Sequence, residues 1–119
     1  MATVDILAIA AHRDDVELTC GGTLVKAAAL GRRTAILDLT AGETGTRGSA
    51  ELRAQEAAAA AAVLNVSARE NLGLPDAAIV NTPETREQLA RVIRRFQPRV
   101  VIAPAPPPSG RHPDHRAAS

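Results

Sequence analysis

Residues 4–11 form an apolar run broken only by Asp5, the pattern of a strand buried on both faces. A polar turn follows over 12–20. Gly21 and Gly22 then precede a short helix predicted over 23–30 and stopped by Gly31. Residues 34–39 predict a second strand, and 40–48 a loop with three glycines. Ser49 can cap a helix over 50–64, with Leu52, Ala59, Val63 and Leu64 near one face and Asn65 at its end. A short third strand is predicted over 70–72 and a loop over 73–81. Thr82 is placed to cap a helix that opens at Pro83 and runs to Phe96. Glu84 and Glu87 near its start and Arg94 and Arg95 near its end suit the helix dipole. Arg91 and Arg95 share a face, which reads as solvated rather than as a basic binding stripe. Residues 100–103 predict a fourth strand. Pro104, Pro106, Pro107 and Pro108 then forbid helix and stiffen the chain.

Strand and helix therefore alternate throughout. That order predicts an α/β fold, a Rossmann-like parallel sheet with helices on both faces. Right-handed crossovers gather the carboxyl ends of all strands along one edge. The first and fourth strands are expected to be neighbours across the topological switch point, where open α/β sheets bind their ligands.

Composition narrows the functional class. The 119 residues carry a net charge of +1, which gives no strong pull toward nucleic acid or an anionic membrane. No stretch is long and apolar enough to span a bilayer. The amino terminus runs directly into a strand without a basic, cleavable leader, and Cys20 is alone, so a cytoplasmic setting is expected. Cys20 itself reads as a small buried residue rather than a ligand or nucleophile. Phe96 is the only aromatic residue and alanine fills 57–62, which predicts a thin core. Residues 1–119 read as a single α/β domain cut short at its carboxyl end, the N-terminal half of a larger one. An uncovered sheet edge past the fourth strand predicts homo-oligomeric association.

Candidate chemistry concentrates in two short clusters. One is Ala11-His12-Arg13-Asp14-Asp15 and the other Arg111-His112-Pro113-Asp114-His115, and together they hold all three histidines. Imidazole and carboxylate are the donors a catalytic Zn²⁺ uses, with one open position for water and a further carboxylate as base. Each cluster follows the end of a predicted strand, the first and the fourth. The proposed division gives His12, Asp15 and His115 to the metal. Asp14, whose side chain diverges from that of its neighbour, takes the proton of the water. His112, held by Asp114, donates to the developing oxyanion or to the leaving nitrogen. The mixed N/O donor set favours zinc, and also admits Fe²⁺ or another divalent metal.

At this point the chain resembles a known family. The pieces are Ala11-His12-Arg13-Asp14-Asp15-Val16-Glu17, Gly21-Gly22-Thr23, Gly42-Glu43-Thr44-Gly45-Thr46-Arg47-Gly48, Leu74-Pro75-Asp76 and His112-Pro113-Asp114-His115. Together they look like the zinc-dependent N-acetylglucosamine deacetylases of the PIG-L/LmbE type, nearest the bacillithiol-biosynthesis branch. The resemblance implies removal of acetate from an N-acetylglucosaminyl conjugate such as N-acetylglucosaminyl-malate. It implies zinc at His12, Asp15 and His115, a general base at Asp14, and stabilisation of the tetrahedral intermediate by His112, tuned by Asp114. It also implies sugar or glycoside contacts at Arg53 and Asp76. Glu43 is a further candidate for substrate binding.

Blander roles stand beside these. Arg53 can pair with Glu51 or Glu56 on its helix, Glu43 can be a plain loop carboxylate, and Asp76 can form a turn after Pro75. Two departures are visible. Arg13 stands where the family has Pro or Ala, and it reads either as a charge that meets an acidic aglycone such as malate or as a solvated turn residue. Family members also run to about twice this length. With the second cluster in the final residues, the chain is expected to hold zinc weakly and turn over little or no N-acetylglucosaminide. The alternative functional reading is an inactive fragment or metal-binding Rossmann-like module. A dinucleotide binder is disfavoured, because no G-x-G-x-x-G follows the first strand and two carboxylates stand in its place.

Overall fold

The computed structural model describes residues 3–11, 20–40, 50–74 and 81–104. Four strands and three helices alternate: β1 (Ile6–Ala10), α1 (Gly21–Ala29), β2 (Thr34–Thr40), α2 (Ala50–Leu64), β3 (Ala68–Leu74), α3 (Pro83–Phe96) and β4 (Val100–Ile102). All pairings are parallel and the strand order is β3-β2-β1-β4. β1 and β4 are thus adjacent, with Ile6 opposite Val100 and Ala8 opposite Ile102.

The central strands explain the apolar runs. Every residue of β2 is buried, as is β1 from Leu7 to Ala10. On one face Leu7, Ile9, Leu37 and Leu39 pack with Val92 and Phe96 of α3. On the other, Ala8, Ala10 and Ile36 pack with Leu24 of α1 and Leu64 of α2. Two thin layers result, each built from small and branched aliphatic residues, with Phe96 supplying the one large ring.

Helix ends follow local chemistry. Thr82 accepts from the Thr85 amide at 3.3 Å, and Thr85 Oγ1 accepts from the Thr82 amide at 3.0 Å, a capping box with Thr in the usual Glu position. Gly31 follows α1 at φ +81°, and Asn65 closes α2 at φ 55°. Gln97 closes α3 in the same left-handed region, which nothing in its residue type announces.

Three sequence expectations need correction. β1 starts at Ile6, because Asp5 serves as a stitch. Its carbonyl accepts from the Arg99 and Val100 amides and its carboxylate from the Arg33 amide at 2.9 Å, joining the amino ends of β4, β1 and β2. β3 spans Ala68–Leu74 and not 70–72, since Arg69, Glu70 and Asn71 each find a partner on a neighbouring element. α2 does not bury the expected face. Leu64 is buried, but Val63 is 80% exposed and Leu52 45% exposed, and Ala57 turns inward instead. A run of alanines has no apolar period, so it conceals which face packs.

Candidate functional site at the carboxyl edge of the sheet

Parallel pairing puts the carboxyl ends of all four described strands on one edge. β1 runs on through Ala11, which is fully buried, and the Thr40 amide donates to its carbonyl at 3.1 Å. The residue before His12 is therefore held by the ladder. β4 lies on the opposite side of β1 from β2. The chain reverses its direction of growth there, so the switch point falls between β1 and β4, about 5 Å apart as hydrogen-bonded neighbours. The segments that carry the two clusters leave from those two strands.

The cluster residues themselves, His12, Asp14, Asp15, His112, Asp114 and His115, lie outside the described residues, as do Glu43 and Asp76. The expected convergence of His12, Asp15 and His115 on one point falls there too. Arg53 sits in the first turn of α2, and its side chain is likewise outside the described set. Among the described residues no group of three His, Cys, Asp or Glu side chains could hold a metal. Cys20 packs part-buried against the Leu24 cluster, in line with a structural role. Arg91 and Arg95 form no basic stripe: Arg91 pairs with Glu87 at 2.7 Å, and Arg95 pairs with Glu70 of β3 while its guanidinium lies 5.3 Å from the Phe96 ring centre. No described helix is long and apolar enough to cross a membrane.

Two polar devices brace the edge, and neither is among the features predicted from the sequence. The first is Asp38, 1% exposed inside β2. Arg69 of β3 grips it with both arms of the fork, Nε to Oδ2 at 2.7 Å and Nη2 to Oδ1 at 3.1 Å. A third donor, Nη1, reaches the Ala57 carbonyl at 3.3 Å, so one guanidinium joins β2, β3 and α2. Beside it, a cleft of about 400 Å³ runs between the alanine face of α2 and β3. The second device is Asn71. Its Nδ2 donates to the Thr40 carbonyl at 2.6 Å, and its Oδ1 accepts from the Gly73 amide at 2.8 Å. The signal for the first was a charged residue in a wholly buried strand, which requires a partner.

Comparison with known proteins places this arrangement. Residues 7–119 match the PIG-L family model, described as GlcNAc-PI de-N-acetylase. Diacetylchitobiose deacetylase of Thermococcus kodakarensis is 34% identical, covering 95% of this chain and 45% of its own length. A 1D-myo-inositol 2-acetamido-2-deoxy-alpha-D-glucopyranoside deacetylase of Saccharopolyspora erythraea is 30% identical, covering 92% and 49%. Among solved structures, a conserved protein of Thermus thermophilus superposes with a TM-score of 0.90 at 50% identity, covering 98% of this chain and 52% of that one. The 4-carboxy-2-hydroxymuconate hydratase of Pseudomonas putida superposes at 0.82 and 27% identity, covering 99% and 52%. The chain spans about half the length of the relatives it matches.

Proposed function

The chain belongs to the PIG-L, GlcNAc-PI de-N-acetylase family, and from that premise we propose a metal-dependent hydrolase that removes the N-acetyl group from an N-acetylglucosaminyl conjugate. N-acetylglucosaminyl-malate is the specific substrate we favour, with Arg13 meeting the acidic aglycone. The observation that carries the reading is the adjacency of β1 and β4, because each leads into one half of the His/Asp set.

The donor chemistry fits zinc. His12, Asp15 and His115 offer two nitrogens and one oxygen, the three-ligand set that leaves a position for water. A bound Zn²⁺ supplies a Lewis acid and lowers the pKa of a water molecule. The chain's own residues do the rest. Asp14 takes the proton of the attacking water. His112, oriented by Asp114, donates to the oxyanion and then to the departing amine, which would otherwise leave as an unstable anion. Arg53, Asp76 and Glu43 hold the sugar and its aglycone. The expected setting is cytoplasmic, with no nucleic-acid partner.

Acetate release from a panel of N-acetylglucosaminides, with Zn²⁺, Fe²⁺ or Co²⁺ added, tests this. The expected result is weak release that depends on added metal, in keeping with the low turnover expected of a chain half the length of its relatives. Asn at position 14 cannot accept the proton, so Asp14→Asn should keep the metal and lose about 10²–10⁴-fold in rate. Asp15→Asn should instead weaken metal binding. Equal metal loss in both variants would contradict the division of roles. Metal bound at one equivalent with no acetate released from any conjugate would favour a metal-binding module. The hydratase relative supports a second reading, addition of water to an alkene; disappearance of an unsaturated hydroxy-tricarboxylate in place of acetate release would favour it.

A further inference from the structure

We propose that Asn71 is a positioning residue for the substrate-facing edge, setting the segment that leaves β2 against the segment that leaves β3. The consequence for sugar binding rests on the function proposed above; the positioning does not.

The β2–β3 register carries the argument. Asp38 lies opposite Asn71, but Thr40 lies opposite Leu74. Between these pairs β2 advances two residues and β3 three, so β3 holds one extra residue at its carboxyl end. Gly73 occupies this bulge at φ +77°, a conformation that L side chains resist. Side chains alternate along a strand, so one extra residue inverts the phase at which Leu74 ends it. Asp76 is two residues on.

The Asn71 carboxamide holds both sides of this irregularity. Its carbonyl oxygen accepts from Gly73, fixing the bulge, and its amide donates to Thr40, the last residue of β2. Thr40 in turn donates to Ala11, the residue before His12. A hydrogen-bonded row therefore crosses the edge from the start of the first His/Asp cluster, through the root of the Glu43 segment, to the root of the Asp76 segment. Asparagine suits the post because it places one donor and one acceptor at fixed separation. Aspartate keeps the acceptor but sets a carboxylate against the Thr40 carbonyl. Alanine keeps neither.

Asn71→Asp and Asn71→Ala separate the two arms. Backbone amide hydrogen exchange and steady-state kinetics on an N-acetylglucosaminide are the readouts. In Asn71→Ala the Gly73 amide should exchange about fivefold faster, the loss of roughly one hydrogen bond. In Asn71→Asp, Gly73 should stay protected while exchange of the Thr40 amide, which donates to Ala11, rises. Both variants should raise KM on the order of tenfold and leave kcat within about twofold, since sugar-contacting segments are displaced and the reacting groups are not. Unchanged KM in both, with Gly73 exchange raised, would reduce Asn71 to a turn stabiliser and overturn the proposal. If the wild-type chain turns over too little N-acetylglucosaminide for KM to be measured, exchange alone decides. Faster exchange of the Thr40 amide in Asn71→Asp then supports the positioning role, and unchanged exchange there overturns it.

Discussion

Asp38 shows what a single residue can reveal in a thin core. A carboxylate inside a strand buried on both faces is tolerable only with a partner that satisfies both oxygens. Arg69 does so, with side chains 9% and 2% exposed for the arginine and the aspartate. Removing one member leaves the other buried and uncompensated. Asp38→Ala should therefore cost about 3–5 kcal/mol of unfolding free energy in urea, and Arg69→Ala a similar amount. Replacing both, as Asp38→Leu with Arg69→Met, should recover much of that loss. A loss below about 1 kcal/mol in Asp38→Ala would mean that the pair is not desolvated as described. The sequence alone does not disclose this pair. Arg69 falls outside the strand predicted over 70–72, and its partner lies on β2, 31 residues away in sequence. The His and Asp clusters are legible, because their residue types and strand-end positions are chemical signals that need no packing information.

Elements differ in how far their sequences disclose them, and the reasons differ too. α3 is bounded as expected because its ends carry explicit chemistry, Thr82 and Pro83 at one end and basic residues at the other. α2 is bounded as expected too, yet alanine hides its buried face. β3 extends beyond its expected span, since an edge strand that pairs charged residues with α3 and β2 lacks the apolar alternation of a half-buried strand. β4 leaves apolar side chains exposed. It is an edge among the described strands, and Val100 and Val101 are 52% and 44% exposed. An edge of this kind offers unpaired backbone groups and apolar side chains together. The 119-residue chain should therefore self-associate with rising concentration in sedimentation velocity. Val101→Lys should shift it toward monomer, as a charge on an edge discourages pairing. A chain that stays monomeric at high concentration, or a Val101→Lys variant that associates unchanged, would show that this edge does not drive assembly.

The whole molecule is an arrangement for bringing distant sequence together. Residues near the start of the chain and residues near its end are separated by nearly the full 119-residue length, yet β1 and β4 lie side by side. The crossover rule makes the common carboxyl edge readable from the order of elements, while the β1–β4 neighbour relation is a further expectation that the strand order meets. What topology does not supply is the bracing of the edge by Asn71 and Asp38, which depends on individual side-chain partners. The central claim is that the two His/Asp clusters build one metal site. Zinc titration against a chromophoric chelator tests it most directly, using the wild-type chain, His12→Ala, His115→Ala and the double variant. One shared site predicts a single equivalent bound by the wild type. It also predicts that either substitution weakens binding by at least about tenfold, and that the double variant is scarcely weaker than the weaker single one, because a lost ligand from either cluster disables the same ion. Two equivalents bound, or single losses that simply add in the double variant, would show that the clusters act independently and would contradict the shared site.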